Sequence, residues 1–89
     1  MIDIAICGNA GKDVRSDCQI ILELTNDGGR IIDIKSKVKT LFGNAIEKLC
    51  NEILDFFEIS NCKLQIEDSG ALDFIISARL EAAIKLLKS

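Results

Sequence analysis

The 89 residues contain no histidine, no proline, no tryptophan and no tyrosine, so phenylalanine alone supplies the 4% aromatic content. Without histidine there is no ordinary Ser-His or Cys-His nucleophile pair, and a general base would have to be a carboxylate or a lysine. An independent hydrolase is therefore not expected. A basic excess is also missing: 14 Asp and Glu stand against 11 Lys and Arg, for a net charge of -3. With no clustered basic surface and no basic stripe interleaved with aromatics, non-specific nucleic-acid binding is not expected. The opening residues MIDIAICGNAGKD have neither a positively charged start nor a long apolar run, so no signal peptide or membrane span is legible, and a cytoplasmic protein is expected.

What the chain does have is enough apolar material for a core, 48% of its residues, in a length that suits one domain over residues 1–89. Four cysteines, Cys7, Cys18, Cys50 and Cys62, are widely spaced, with no CxxC pair and no His to complete a zinc site. Cys18 keeps step with Ile20 and Leu22, Cys62 with Leu64 and Ile66, and Cys50 with Ile46 and Ile53. These are read as reduced, small core residues.

Periodicity divides the chain. In DIAIC, Ile2, Ile4 and Ile6 alternate with Asp3 and Ala5, which fits a half-buried strand. CQIILELT sets Cys18, Ile20, Leu22 and Leu24 on one face, and after NDGG the stretch RIIDIKS sets Ile32 and Ile34 on one face. These two strands are expected to form a hairpin, with a loop of Asp27 to Gly29 that pairs Leu24 with Ile32 and Leu22 with Ile34 and so keeps the apolar faces together. Ser36 is the expected N-cap of a helix in which Val38, Leu41, Phe42, Ala45, Ile46, Leu49, Ile53, Phe56 and Phe57 recur at spacings of three and four. CKLQIED alternates again, with Cys62, Leu64 and Ile66 inward. DSG then breaks it, and ALDFIISARLEAAIKLLKS reads as a second helix with Asp73 in its first turn and Lys85 and Lys88 at its end. The expected fold is α+β: a four-stranded, mainly antiparallel sheet with two helices on one face, in the order β-β-β-α-β-α.

Motif chemistry is sparse. No Walker A sequence, dinucleotide fingerprint or calcium loop is present, and GNAG at residues 8–11 lacks the Lys-Ser/Thr of a P-loop. Three segments are more informative: AGKDVRSD (10–17), FGNAIEKL (42–49) and SGALDFIISARLEAAI (69–84). They resemble, in order along nearly the whole chain, the acyl carrier (gamma) chain of citrate lyase, whose pattern reads roughly AG-TLES-S/G-D, then FG-x-AI, then D-x-GALD followed by ARLEA. The most specific portion is Gly70 to Asp73 with Ala78 to Ala82.

The resemblance implies a non-catalytic carrier subunit of a lyase complex. In that family a serine of the first turn bears phosphoribosyl-dephospho-CoA through a phosphodiester, and the thiol of that group holds acetyl or citryl as a thioester. The implied partners are an acyltransferase subunit, a lyase subunit and a transferase that loads the cofactor, with no nucleic acid and no membrane. The family serine aligns with Arg15, which cannot form the phosphodiester, and the neighbouring hydroxyl is Ser16, followed by Asp17. Either attachment lies at Ser16, or the chain is an unmodified carrier-like interaction domain; the carrier of malonate decarboxylase is a related alternative. Cofactor-binding candidates are thus Ser16 as the covalent site, with Arg15 and Arg79 beside the phosphate. For Ser16 the plainer reading is a turn serine bonded locally, and for Arg79 a stem lying along the core edge.

Overall fold

The computed structural model describes residues 4–36 and 43–88. Its elements run β1 (Ile4–Gly8), β2 (Cys18–Leu24), β3 (Arg30–Ser36), α1 (Gly43–Phe56), β4 (Cys62–Asp68) and α2 (Asp73–Lys88), the expected α+β order. The strands form one sheet in the order β1-β2-β4-β3. β1 and β4 flank β2 antiparallel, while β3 joins the outer edge of β4 in parallel. The sheet is mainly antiparallel, with the parallel pair supplied by the β3-α1-β4 crossover, which needs a helix-length connection.

β2 and β4 take the two central places, and their inner faces are correspondingly covered: Cys18, Ile20 and Leu22, like Cys62, Leu64 and Ile66, are all at most 1% exposed. Rows of inward residues run across the sheet, Leu22 beside Leu64 beside Ile32, and Ile20 beside Ile66 beside Ile34. Onto these rows pack Ile46, Cys50 and Leu54 of α1 and Ile76, Leu80, Ala83 and Ile84 of α2, forming one cluster on one face. Three of the four cysteines, Cys18, Cys50 and Cys62, are fully buried within it.

Three sequence expectations are corrected. β2 and β3 are not hairpin partners, because β4 lies between them; Leu24 shares its row with Cys62 and Arg30, not with Ile32. The apolar pattern misleads here because an inserted strand of the same phase keeps both faces in register. The connection 25–29 instead straddles the start of β4: Thr25 N–H donates to Asn61 O, Gly29 N–H to Asn61 Oδ1, and Cys62 N–H to Gly29 O. Gly28 and Gly29, at φ 89 and 73, supply the left-handed backbone of this loop.

The phase of β1 is also reversed. Ala5 and Cys7 face inward, opposite Leu22 and Ile20, whereas Ile4 and Ile6 lie exposed on the open face. Small inward residues let α2 lie close over this strand, and the two isoleucines are left on the open face of the edge. Ser36 ends β3, and its hydroxyl donates to Asp68 Oδ2 at 3.0 Å; the helix start it was expected to cap falls outside the described residues. Phe56, expected in the apolar stripe, is exposed. The expectations for Ile2, Asp3, Val38, Leu41 and Phe42 fall outside the described residues.

α1 ends in a Schellman turn, with Ile59 N–H donating to Leu54 O and Glu58 N–H to Asp55 O. Glu58 occupies the left-handed position at φ 58, where glycine is favoured. Arg30 seals this end, its Nε and Nη2 donating to Ile59 O and its Nη2 pairing with Asp55 at 2.8 Å.

Glu58→Gly is expected to raise stability by about 1 kcal/mol, the relief of left-handed strain less the added entropy of glycine in the unfolded chain; urea unfolding checks it. Burial also pushes the Cys18 thiol up to about 11 and the Cys50 thiol to about 12, with Cys62 raised as well. An alkylating reagent at pH 8 should therefore label half-buried Cys7 first, and label the other three only at the rate of global opening. Peptide mapping against time distinguishes the four.

Candidate functional site

The segment 9–17 joins the edge strand β1 to β2 at the end of the sheet where β3 and β4 also finish. Its geometry follows from three glycine-like backbone demands. Gly8, at φ 92, lies so close to β2 that an added side chain would collide with the Cys18 carbonyl and sit 3.1 Å from Arg79 Nε. Gly11, at φ 140, starts a turn in which Val14 N–H donates to Gly11 O. Ser16, at φ 58, is a non-glycine residue in the left-handed region, at an intrinsic cost of roughly 1–2 kcal/mol.

Surrounding bonds hold Ser16 there. Its N–H donates to Ser69 O at 2.7 Å, and Ser69 N–H donates to Asp17 O at 2.8 Å, so the residue after β4 grips both sides of the turn. The Asp17 carboxylate is the hub. Arg79 donates to it through Nε at 3.2 Å and Nη2 at 3.0 Å, Asn9 through Nδ2 at 2.9 Å, and the Cys18 N–H at 2.7 Å. The Asp17 side chain is 16% exposed and that of Arg79 38%, so the pair is sheltered without being cut off from water. A two-pronged guanidinium on a carboxylate is among the stronger arrangements of this kind.

These contacts hold the Asp17 carboxyl at about 2, below its ordinary 3.8; the Arg79 hydrogen bonds contribute most and the Asn9 bond next, against a small opposing effect of burial. The same contact keeps Arg79 protonated. On the other side of Ser69, the buried Asp68 accepts from Gly70 N–H and Ala71 N–H on Oδ1 and from Ser36 on Oδ2, closing the link into α2. A shallow groove beside it is lined by Lys35, Ser36, Glu67, Asp68 and Ser69.

Of the residues singled out in the sequence, Ser16 and Arg15 are both exposed on the turn, and among the described residues none hydrogen-bonds to the Ser16 hydroxyl. Arg79 is brought to the same turn from α2, but through Asp17. Asp17, Asn9, Ser69 and Asp68 were not singled out as members of one site. Asp68 had a readable signal, since Asp-Ser-Gly after a strand favours an Asx-type turn; the Asn9 and Arg79 contacts to Asp17 span 8 and 62 residues and leave no local trace. Among the described residues no group of three or more His, Cys, Asp or Glu side chains is placed to hold a metal ion, and no helix is long and apolar enough to cross a membrane.

Comparison with known proteins follows the same outline. The family model described as the acyl carrier, malonate decarboxylase delta subunit, matches residues 5–87. The citrate lyase acyl carrier protein of Treponema denticola is 41% identical over 81 residues, covering 91% of this chain and 87% of that protein. That of Vibrio cholerae is 40% identical over 84% of this chain and 76% of its own length, and that of Oenococcus oeni 44% identical over 79% and 71%. Among solved structures, one chain of a Pseudomonas malonate decarboxylase hetero-tetramer in complex with malonate has the same fold, with a TM-score of 0.71 at 19% identity over 94% of this chain and 82% of that one.

The depressed acidity of Asp17 sets a pH dependence. Its folded value lies below its unfolded one, so the stability it contributes is fully present above the ordinary carboxylate value of 3.8 and is lost as the pH falls through about 2. The gap in urea midpoint between wild type and Asp17→Asn should accordingly be constant from neutral pH to about 4 and close toward about 2.

Proposed function

The chain belongs to the acyl carrier protein family of citrate lyase and malonate decarboxylase, and from that membership we propose that residues 1–89 act as one non-catalytic carrier domain in a cytoplasmic complex of the citrate lyase type, with Ser16 as the point of attachment. The observation that carries the choice of residue is the clamped, left-handed turn at φ 58 that presents an exposed hydroxyl, the one hydroxyl between Met1 and Thr25. The implied group is phosphoribosyl-dephospho-CoA, whose terminal thiol, once attached, carries acetyl or citryl as a thioester.

The residues present fit a tether. The groove next to Ser69 sets the carboxylates of Glu67 and Asp68 against the one cation of Lys35, an acidic balance that disfavours burying a phosphorylated group there, so an attached chain would extend from the turn into solvent. Arg15, beside Ser16 and exposed, is the cation in position to pair with a phosphodiester on that residue. Mounting the attachment on a turn at the end of a rigid sheet gives a long arm its reach, and converts encounters with acyltransferase and lyase subunits into intramolecular ones.

Loading requires a phosphoanhydride-activated cofactor and a transferase. Ser16 Oγ would be the attacking atom, its bond to phosphorus forming as the anhydride P–O bond of the activated group breaks and the departing phosphate takes that electron pair. The hydroxyl proton passes to a base of the transferase. Asp17, the next residue, is not free to be that base, being engaged by Arg79, Asn9 and the Cys18 N–H.

A carrier for malonate decarboxylation is the second reading, supported by the description of the matching family model. Relatives about 40% identical are citrate lyase carriers, which favours the first. An unmodified interaction domain is favoured by one residue, Arg15, at the position of the family serine.

Intact mass of the protein purified from its native host should exceed the sequence mass by a cofactor-sized increment, and peptide mapping should place it on Ser16. Ser16→Ala should abolish the increment. An unmodified native protein would leave the interaction domain as the surviving reading.

A further inference from the structure

By resemblance Arg79 is a candidate phosphate contact, yet its Nε and Nη2 donors are both turned onto Asp17. We infer that Arg79 and Asp17 are positioning residues for the loading of Ser16: Arg79 acts through Asp17 to hold the turn in the one conformation that presents the hydroxyl. The inference rests on the reading of Ser16 as the attachment site.

The geometry carries it in three steps. Ser16 adopts a backbone conformation that its own side chain disfavours, so the conformation must be imposed by its neighbours. The imposing contacts converge on the next residue: Asp17 receives the Ser69 N–H on its carbonyl, and Arg79, Asn9 and the Cys18 N–H on its carboxylate. Finally, the position of Arg79 is itself set by its place on α2, and by Gly8, where an added side chain would crowd its Nε at 3.1 Å. The result is a latch from the second helix to the first turn, spanning 62 residues of sequence.

An enzyme that transfers a group to an exposed hydroxyl must find that hydroxyl in one orientation. If the turn samples others, the apparent affinity of the transferase for the carrier falls by the fraction of molecules in the competent form, while its affinity for the activated cofactor is untouched. A phosphate ligand would behave in the opposite way. Removing it would weaken use of the cofactor, and Asp17 would be dispensable.

The test uses the full chain with the loading transferase and its activated cofactor, comparing wild type, Arg79→Gln, Arg79→Lys, Asp17→Asn and the double variant Asp17→Asn/Arg79→Gln, with Ser16→Ala as the mapping control. Expected is a fall of about tenfold or more in kcat/KM for the carrier in each of Arg79→Gln and Asp17→Asn, with KM for the cofactor unchanged. The double variant should be no worse than the weaker single, since both remove one interaction, and Arg79→Lys should recover part of the loss. Amide exchange provides the readout independent of loading: Ser16 and Ser69 should exchange faster in both single variants while Leu64 and Ile66 keep wild-type protection. Loading on Ser16 at wild-type efficiency in Asp17→Asn, or a raised cofactor KM in Arg79→Gln alone, overturns the positioning role and leaves the attachment site standing. Exchange that rises throughout the sheet also overturns it, as general destabilisation. A wild-type chain loaded at a residue other than Ser16 overturns the attachment reading, and the inference with it.

Discussion

The molecule depends on β4 lying between β2 and β3. That one strand satisfies the backbone of two neighbours, contributes Cys62, Leu64 and Ile66 to the centre of the core, and delivers Asp68 and Ser69 to the end of the sheet. The turn at Ser16 is a product of this order. Ser69 meets Ser16 and Asp17 because β4 borders β2, continuing the register in which Cys18 faces Asp68. α2, which starts just beyond, then passes over β1 and brings Arg79 back to the same turn. A feature that looks like a surface loop is thus held by both halves of the chain.

How much of this was legible can be traced residue by residue. Alternation located β2, β3 and β4, and 3.6-residue periodicity located both helices, because these signals depend only on which face of an element is buried. Strand order was not legible. The rows Leu22-Leu64-Ile32 and Ile20-Ile66-Ile34 satisfy the same alternation as a direct β2–β3 hairpin, so the sequence pattern is degenerate between the two arrangements. β1 failed for a different reason: hydrophobicity favoured Ile4 and Ile6 for the core, whereas helix approach selected the small Ala5 and Cys7. At the site, Ser16, Arg15 and Arg79 were identified through family resemblance, but the partnership of Arg79 with Asp17 arises from tertiary structure and has no local signature.

Ser16 also marks a conflict between two levels of the sequence. Its backbone conformation suits glycine, yet the residue that folding places there carries a hydroxyl. This chain has a side chain where the backbone alone favours none. Local inconsistency of this kind, maintained by a dedicated set of hydrogen bonds, is the usual mark of a position that serves something other than stability.

The clasp of Thr25 and Gly29 around Asn61 bears on how the molecule is assembled. Before β4 is in place, the inner edge of β2 has no partner and β3, whose neighbour in the sheet is β4, has none either, so a slot stands open beside β2. Nothing local fills it; the filler is a segment that comes after a whole helix. Closure is therefore a non-local event burdened by loop entropy, and it belongs among the slower steps of folding. Until then the edge of β2 leaves its N–H and C=O groups open to any strand of matching phase, the hazard that edge strands carry in general.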